Sequence, residues 1–166
     1  MTDFAHLRHK PPTPLAQPRP LIVACAPLRS NINLSRIVRA AGCCGITKVI
    51  GCGAAKVVSK IARDGADQVA LEVHRTLPPV LRELRQQGYT LVALEQTTNS
   101  TSIYEFRFPV RTALIVGNER TGLTDEELRI VDHAVEIPVY GLPYSHNVAT
   151  ATAIAMYEYC RQFPEG

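Results

Sequence analysis

Three stretches of this chain hold residues of the kind that bind or activate a ligand. The first, Asn31-Ile32-Asn33-Leu34-Ser35-Arg36-Ile37-Val38-Arg39, sets polar amides and two arginines into an apolar background. Arg39 stands between Val38 and Ala40, and a guanidinium buried there needs a carboxylate or an anion beside it. Asn33 reads either as a helix N-cap or as a polar group on roughly the same helical side as Arg39. The second stretch, Val116-Gly117-Asn118-Glu119-Arg120-Thr121-Gly122-Leu123, follows an apolar run, and its two glycines let backbone approach a ligand closely. Glu119 is an ordinary turn acid or the partner that Arg39 requires. The third runs from Ile137-Pro138-Val139-Tyr140-Gly141 through Leu142-Pro143-Tyr144-Ser145-His146-Asn147 into Val148-Ala149-Thr150-Ala151. A rigid polar loop leading into a small-residue helix presents backbone N–H groups as a ready polar site. Ser145 and Asn147 are both good caps for that helix.

Common phosphate signatures are missing. The glycine loop lacks the lysine and spacing of GxxxxGK[ST], and no GxGxxG follows the first apolar run. Nucleotide hydrolysis and dinucleotide binding both lose support.

The elements that must position these loops alternate. Short apolar runs at 21–26, 48–51, 68–73, 89–95, 112–117 and 134–137 read as strands. Helical spacing appears at 33–44, 54–63, 78–87 and 146–162, and Thr124 with Glu127 forms a capping box for a further helix. The expectation is α/β: a mostly parallel six-stranded sheet flanked by helices. Ligands in such folds sit beyond the carboxyl ends of the strands, where the three stretches fall. Residues 1–20 carry five prolines and read as an extended N-terminal arm, leaving 21–166 as one domain.

Composition narrows the class. At 166 residues, with 46% hydrophobic and 20% charged, the chain is globular and long enough to bury roughly 70% of its unfolded surface. No apolar run is long enough to span a bilayer and the N-terminus lacks a signal-peptide core, so no membrane association and a cytoplasmic location are expected. Five cysteines without a CxxC pair argue against a disulfide framework or zinc site, and they are expected to be buried, reduced thiols. Charge is segregated: residues 1–63 hold ten Lys/Arg and one acid, whereas 64–166 hold eight and fourteen. A basic first third suggests a face that meets a polyanion.

Taken together, the three stretches resemble the motifs of the SpoU (TrmH-like) branch of the SPOUT RNA methyltransferases, in that family's order and spacing. The resemblance covers residues 21 to about 162. It implies a C-terminal deep trefoil knot, an obligate homodimer and S-adenosylmethionine (SAM) as cofactor, with no metal. The implied activity is methyl transfer to the 2′-hydroxyl of a ribose in RNA, tRNA ahead of rRNA. It implies Arg39 as the catalytic residue, held by Asn33 and Glu119, with Ser145 and Asn147 ordering the site. Leu94, Gly117, Asn118, Ile137 and Leu142, together with Ser145 and Asn147, are implied to hold the cofactor. The family's third motif usually has leucine between the serine and asparagine; here His146 stands there. The helical extensions that some relatives use to grip tRNA are not seen. Two other readings stay open: a non-catalytic RNA-binding protein of the same fold, and a small-molecule-binding α/β protein, which leaves the basic segment without a purpose.

Overall fold

A computed structural model describes residues 2–166. The strands are β1 (Ile22–Cys25), β2 (Lys48–Cys52), β3 (Ala70–His74), β4 (Thr90–Leu94), β5 (Thr101–Ser102), β6 (Thr112–Val116) and β7 (His133–Glu136). They form one seven-stranded sheet in the order β3-β2-β1-β6-β4-β7-β5, with every pairing parallel. The central strands β1 and β6 are buried along their whole length, as continuous apolar runs require when helices cover both faces.

Helix α1 (Asn31–Cys43) buries Leu34, Ile37, Val38 and Ala41 on one face. It packs with α6 (Val148–Gln162) over one side of the sheet. Helix α4 (Leu77–Gln86) buries Leu77, Val80, Leu81 and Leu84 against the other side, next to α5 (Asp125–Ile130). The capping box is present: Thr124 Oγ1 accepts from Glu127 N (3.2 Å) and Glu127 Oε2 accepts from Thr124 N (2.8 Å).

Three sequence expectations are corrected. The sheet has a seventh strand because β5, only two residues long, pairs with β7 at Thr101↔Val135 and Ser102↔Glu136. A piece so short carries no periodic signal; its neighbour defines it. The helix expected over 54–63 shrinks to α2 (Ser59–Ala62), followed by α3 (Gly65–Gln68). Residues 54–58 instead leave the positive-φ Gly53 outside any helix, and β-branched Val57 and Val58 do little to favour one. The cysteines are all free, but only Cys25, Cys44 and Cys52 are buried; Cys43 is exposed and Cys160 half-buried. Burial pushes the Cys25 thiol up to about 12 and the Cys52 thiol up to about 11, which makes both inert packing groups.

The proline-rich arm is exposed and outside helices and strands up to residue 14, then docks. Arg19 is buried, and its guanidinium donates to the carbonyls of Cys44 (2.7 Å) and Phe163. Ala16 N donates to Glu165 O at 2.9 Å. The arm is therefore tied to the ends of α1 and α6. Among the described residues no helix is long and apolar enough to cross a membrane.

Candidate functional site

The order of the sheet sets the site. From β1 the chain winds outward through β2 and β3, then returns to the other side of β1 with β6 and β4. The carboxyl ends of β4, β6 and β7 lie side by side there, with Leu94 opposite both Val116 and Val135. A cleft of about 250 Å3 opens above them, where open parallel sheets bind ligands.

The loop after β6 is built tightly. Asn118 and Gly122 exchange two backbone hydrogen bonds (3.1 and 2.9 Å). Asn118 Oδ1 accepts from Arg120 N (2.9 Å) and Thr121 N (3.2 Å), while its Nδ2 donates to Pro27 O (2.8 Å) beyond β1. A Cβ on Gly117 would stand 2.5 Å from the carbonyl carbon of Gly122, so only glycine fits. Gly122 has φ 66°, and a Cβ there would meet Glu95 Oε2 at 2.5 Å. That same Oε2 accepts from Leu123 N at 3.0 Å. Glu95 thus holds the loop from the end of β4. Sequence reasoning missed it; an acid directly after a buried strand was the available signal.

Glu119 is the hub. Its Oε2 accepts from Arg29 N (2.7 Å), and its Oε1 accepts from Ser30 N (3.0 Å) and Asn33 Nδ2 (3.2 Å). Burial is the largest single influence on this carboxyl and pushes its pKa up, but the hydrogen bonds from Arg29, Asn33 and Ser30 outweigh it. The net position lies below the ordinary glutamate range. The anion also faces the N-terminus of α1, where the helix dipole favours negative charge. Asn33 Oδ1 accepts from Asn147 Nδ2 (3.2 Å), and Asn147 Oδ1 caps α6 by accepting from Ala149 N (2.9 Å) and Thr150 N (3.3 Å). One hydrogen-bonded chain therefore joins the three stretches: β6 loop, α1 and α6.

Asn33 is not the N-cap of α1. Ser30 caps it, accepting from Asn33 N, and this frees the Asn33 amide for Glu119 and Asn147. Of the two proposed caps for α6, Asn147 serves and Ser145 does not.

Arg39 departs furthest from expectation. It is exposed, and its guanidinium forms no hydrogen bond or ion pair with any described residue. Neither Glu119 nor Asn33 holds it. Six residues of helix turn through about 600° and rise about 9 Å, which carries Arg39 off the side that Asn33 occupies. The acceptors of Glu119 are meanwhile taken by three N–H donors.

Leu94, Gly117, Asn118, Glu119, Ile137 and Ser145 all line the cleft. Leu142 does not; it is 76% exposed. His146 is a lining residue, as are Glu136 and Val139, which sequence reasoning did not single out. The loop carrying Ser145 is exposed from Gly141 to Asn147 and is tethered by Gln96 Nε2, which donates to Tyr144 O at 3.2 Å. Among the described residues no group of three His, Cys, Asp or Glu side chains could hold a metal.

An all-parallel α/β sheet with a glycine-walled cleft beyond the carboxyl ends of β4, β6 and β7 defines the class of α/β folds that bind ligands at their strand ends. The particular family is fixed by similarity: residues 20–157 match the SpoU rRNA Methylase family, and the chain belongs to it. The chain is 28% identical over 152 residues to the Escherichia coli K12 protein described as tRNA (guanosine(18)-2′-O)-methyltransferase, covering 89% of this chain and 66% of that one. It therefore spans just under two thirds of that relative's length. The crystal structure described as the A. aeolicus TrmH/SpoU tRNA modifying enzyme superposes with a TM-score of 0.82 at 30% identity, over 89% of this chain and 77% of the other. The Streptomyces viridochromogenes SpoU methyltransferase AviRb, solved in complex with the cofactor AdoMet, gives a TM-score of 0.72 at 26% identity, over 88% and 61%.

Proposed function

We propose that this chain is a SAM-dependent methyltransferase acting on the 2′-hydroxyl of a ribose in RNA, with tRNA as substrate ahead of rRNA. In this reading it works in the cytoplasm as a homodimer, without a metal, and its C-terminal segment forms the family's deep trefoil knot. The observation that carries the reading is the Glu119–Asn33–Asn147 chain, which ties the three motifs together beside the cleft. Relatives described as tRNA 2′-O-methyltransferases support the substrate class.

The lining suits SAM. Leu94, Ile137 and Val139 offer an apolar wall, Glu95 and Glu136 offer acceptors for hydroxyls, and Gly117 leaves no side chain in the way. When bound, SAM supplies an electrophilic methyl carbon on a sulfonium. The protein must then position a ribose hydroxyl and favour loss of its proton. Glu119, with its depressed pKa and three N–H donors, is a poor base and acts as a fixed anion that orders the N-terminus of α1. A guanidinium offers N–H donors and no acceptor, so the role of Arg39 is to orient a phosphate and its ribose hydroxyl and to stabilise developing negative charge. An exposed, unpaired Arg39 fits this role, because the RNA or a second subunit supplies its partner. Ser145 and Asn147 order the loop and the start of α6.

Calorimetry with SAM and S-adenosylhomocysteine, followed by nucleoside mass spectrometry of a treated tRNA transcript, tests the proposal. Cofactor binding and a 2′-O-methyl nucleoside are expected. RNA binding without cofactor binding would favour the non-catalytic reading, and absence of both would sink the proposal.

A further inference from the structure

One strained residue lies outside the site described above. Residues 58–69 run along α1: Val58 N donates to Ser35 Oγ at 2.8 Å near the start of the helix. Farther on, a Cβ on Gly65 would stand 3.0 Å from Arg39 Cα, and one on Gly42 would stand 3.3 Å from Gly65 Cα. Between these anchors Arg63 takes φ 55° and ψ −138°. It is the only non-glycine residue with positive φ among the described residues. Its backbone is fixed by Arg63 N donating to Ser59 O (2.8 Å) and Ala66 N donating to Arg63 O (3.0 Å).

Glycine would adopt this conformation freely, whereas a side chain adds strain. The chain nevertheless puts an exposed arginine there. Asp64 and Asp67 follow closely, yet neither they nor any other described carboxylate forms an ion pair with Arg63. Arg36, Arg39 and Lys60, on the same two packed segments, are likewise exposed and unpaired. Strained residues that persist are commonly retained for what they bind, and a row of unpaired cations suits a phosphate backbone.

We propose that Arg63 is a phosphate-binding residue for the RNA strand, extending the Arg36–Arg39 row from α1 onto the adjoining segment. The inference rests on the RNA-modifying reading above. It assigns Arg63 a positioning role that neither the cleft nor the hydrogen-bonded chain needs.

The test is equilibrium binding of an unmodified tRNA transcript to the wild type, Arg63→Gly and Arg63→Lys over a range of salt, with thermal melting of each protein. Arg63→Gly should melt at or above the wild-type temperature, because glycine removes the strain. It should bind roughly threefold to tenfold more weakly at low salt, and its slope of log K against log salt should flatten by about 0.7–0.9, one phosphate contact. Arg63→Lys keeps the charge and should stay within about twofold of the wild type with an unchanged slope. If Arg63→Gly shows wild-type affinity and slope, or weaker binding with an unchanged slope, the inference fails while the methyltransferase reading stands. If the wild type binds no tRNA, the RNA reading falls and takes this inference with it.

Discussion

The two sides of the site are built by opposite rules. At the junction of the β6 loop with α1 and α6, the polar atoms of Glu119, Asn33 and Asn147 are paired, and Gly117 leaves no free space. Away from that junction, Arg39 on α1 and the loop from Tyr140 to His146 are exposed, with Tyr140 at 89% and Tyr144 at 79%. The first region is complete within one chain. The second leaves its side chains open to solvent. A preorganised junction is what the proposed methyl transfer requires, since positioning must be settled before the substrate arrives.

This contrast can be broken by mutation, most severely at Arg39. Arg39→Ala should lower methyl transfer by about a hundredfold or more, the scale of losing one positioned charge-stabilising group. Its melting temperature and SAM affinity should hardly move, because an exposed, unpaired side chain supports little of the fold. Unchanged turnover would remove Arg39 from its role. Glu119→Gln attacks the other region. Its amide would turn a donor toward N–H groups that now find acceptors, at a cost of about 1–3 kcal/mol measured by denaturant unfolding.

The same carboxylate gives the junction a pH signature. Its folded pKa lies below the ordinary value of about 4.3. The stability it contributes is therefore fully present above that ordinary value and is lost as pH falls through the depressed folded one. Urea titrations between neutral pH and pH 3 should show a smaller acid loss in Glu119→Gln than in the wild type; parallel curves would mean that Glu119 is not held as described. Asn147→Ala removes a cap and the link to Asn33, and should destabilise by about 1 kcal/mol. His146→Leu sits on the exposed side and should shift stability by no more than about 0.5 kcal/mol; a larger change would show that this loop packs more firmly than its exposure indicates.

Much of the fold was legible because its signals are local. β1, β4 and β6 are unbroken apolar runs, the capping box of α5 is a four-residue pattern, and the buried face of α1 follows from 3.6-residue spacing. The cleft was legible in kind, since loops after parallel strands are where ligands bind, and Leu94, Gly117 and Ile137 do line it. What escaped were facts set by a neighbour. β5 exists through its pairing with β7, Glu95 matters through a glycine 27 residues later, and Arg19 is buried by carbonyls at the far ends of α1 and α6. Asn33 looked like a cap because asparagine often is one; Ser30 took that place and released Asn33 to bridge two motifs.

The sequence by itself determined the α/β alternation, the basic first third and the residue types at the three motifs, because hydrophobic period, charge and turn chemistry act over a few residues. Only the tertiary structure decided who meets whom. It gave Glu119 to the N-terminus of α1 and Asn33 instead of Arg39, and it left Arg39 facing outward. The reason is geometric. A helix carries residues six apart to different sides, and a carboxylate accepts from whichever donors the packing of strands and helices brings within 3 Å or so.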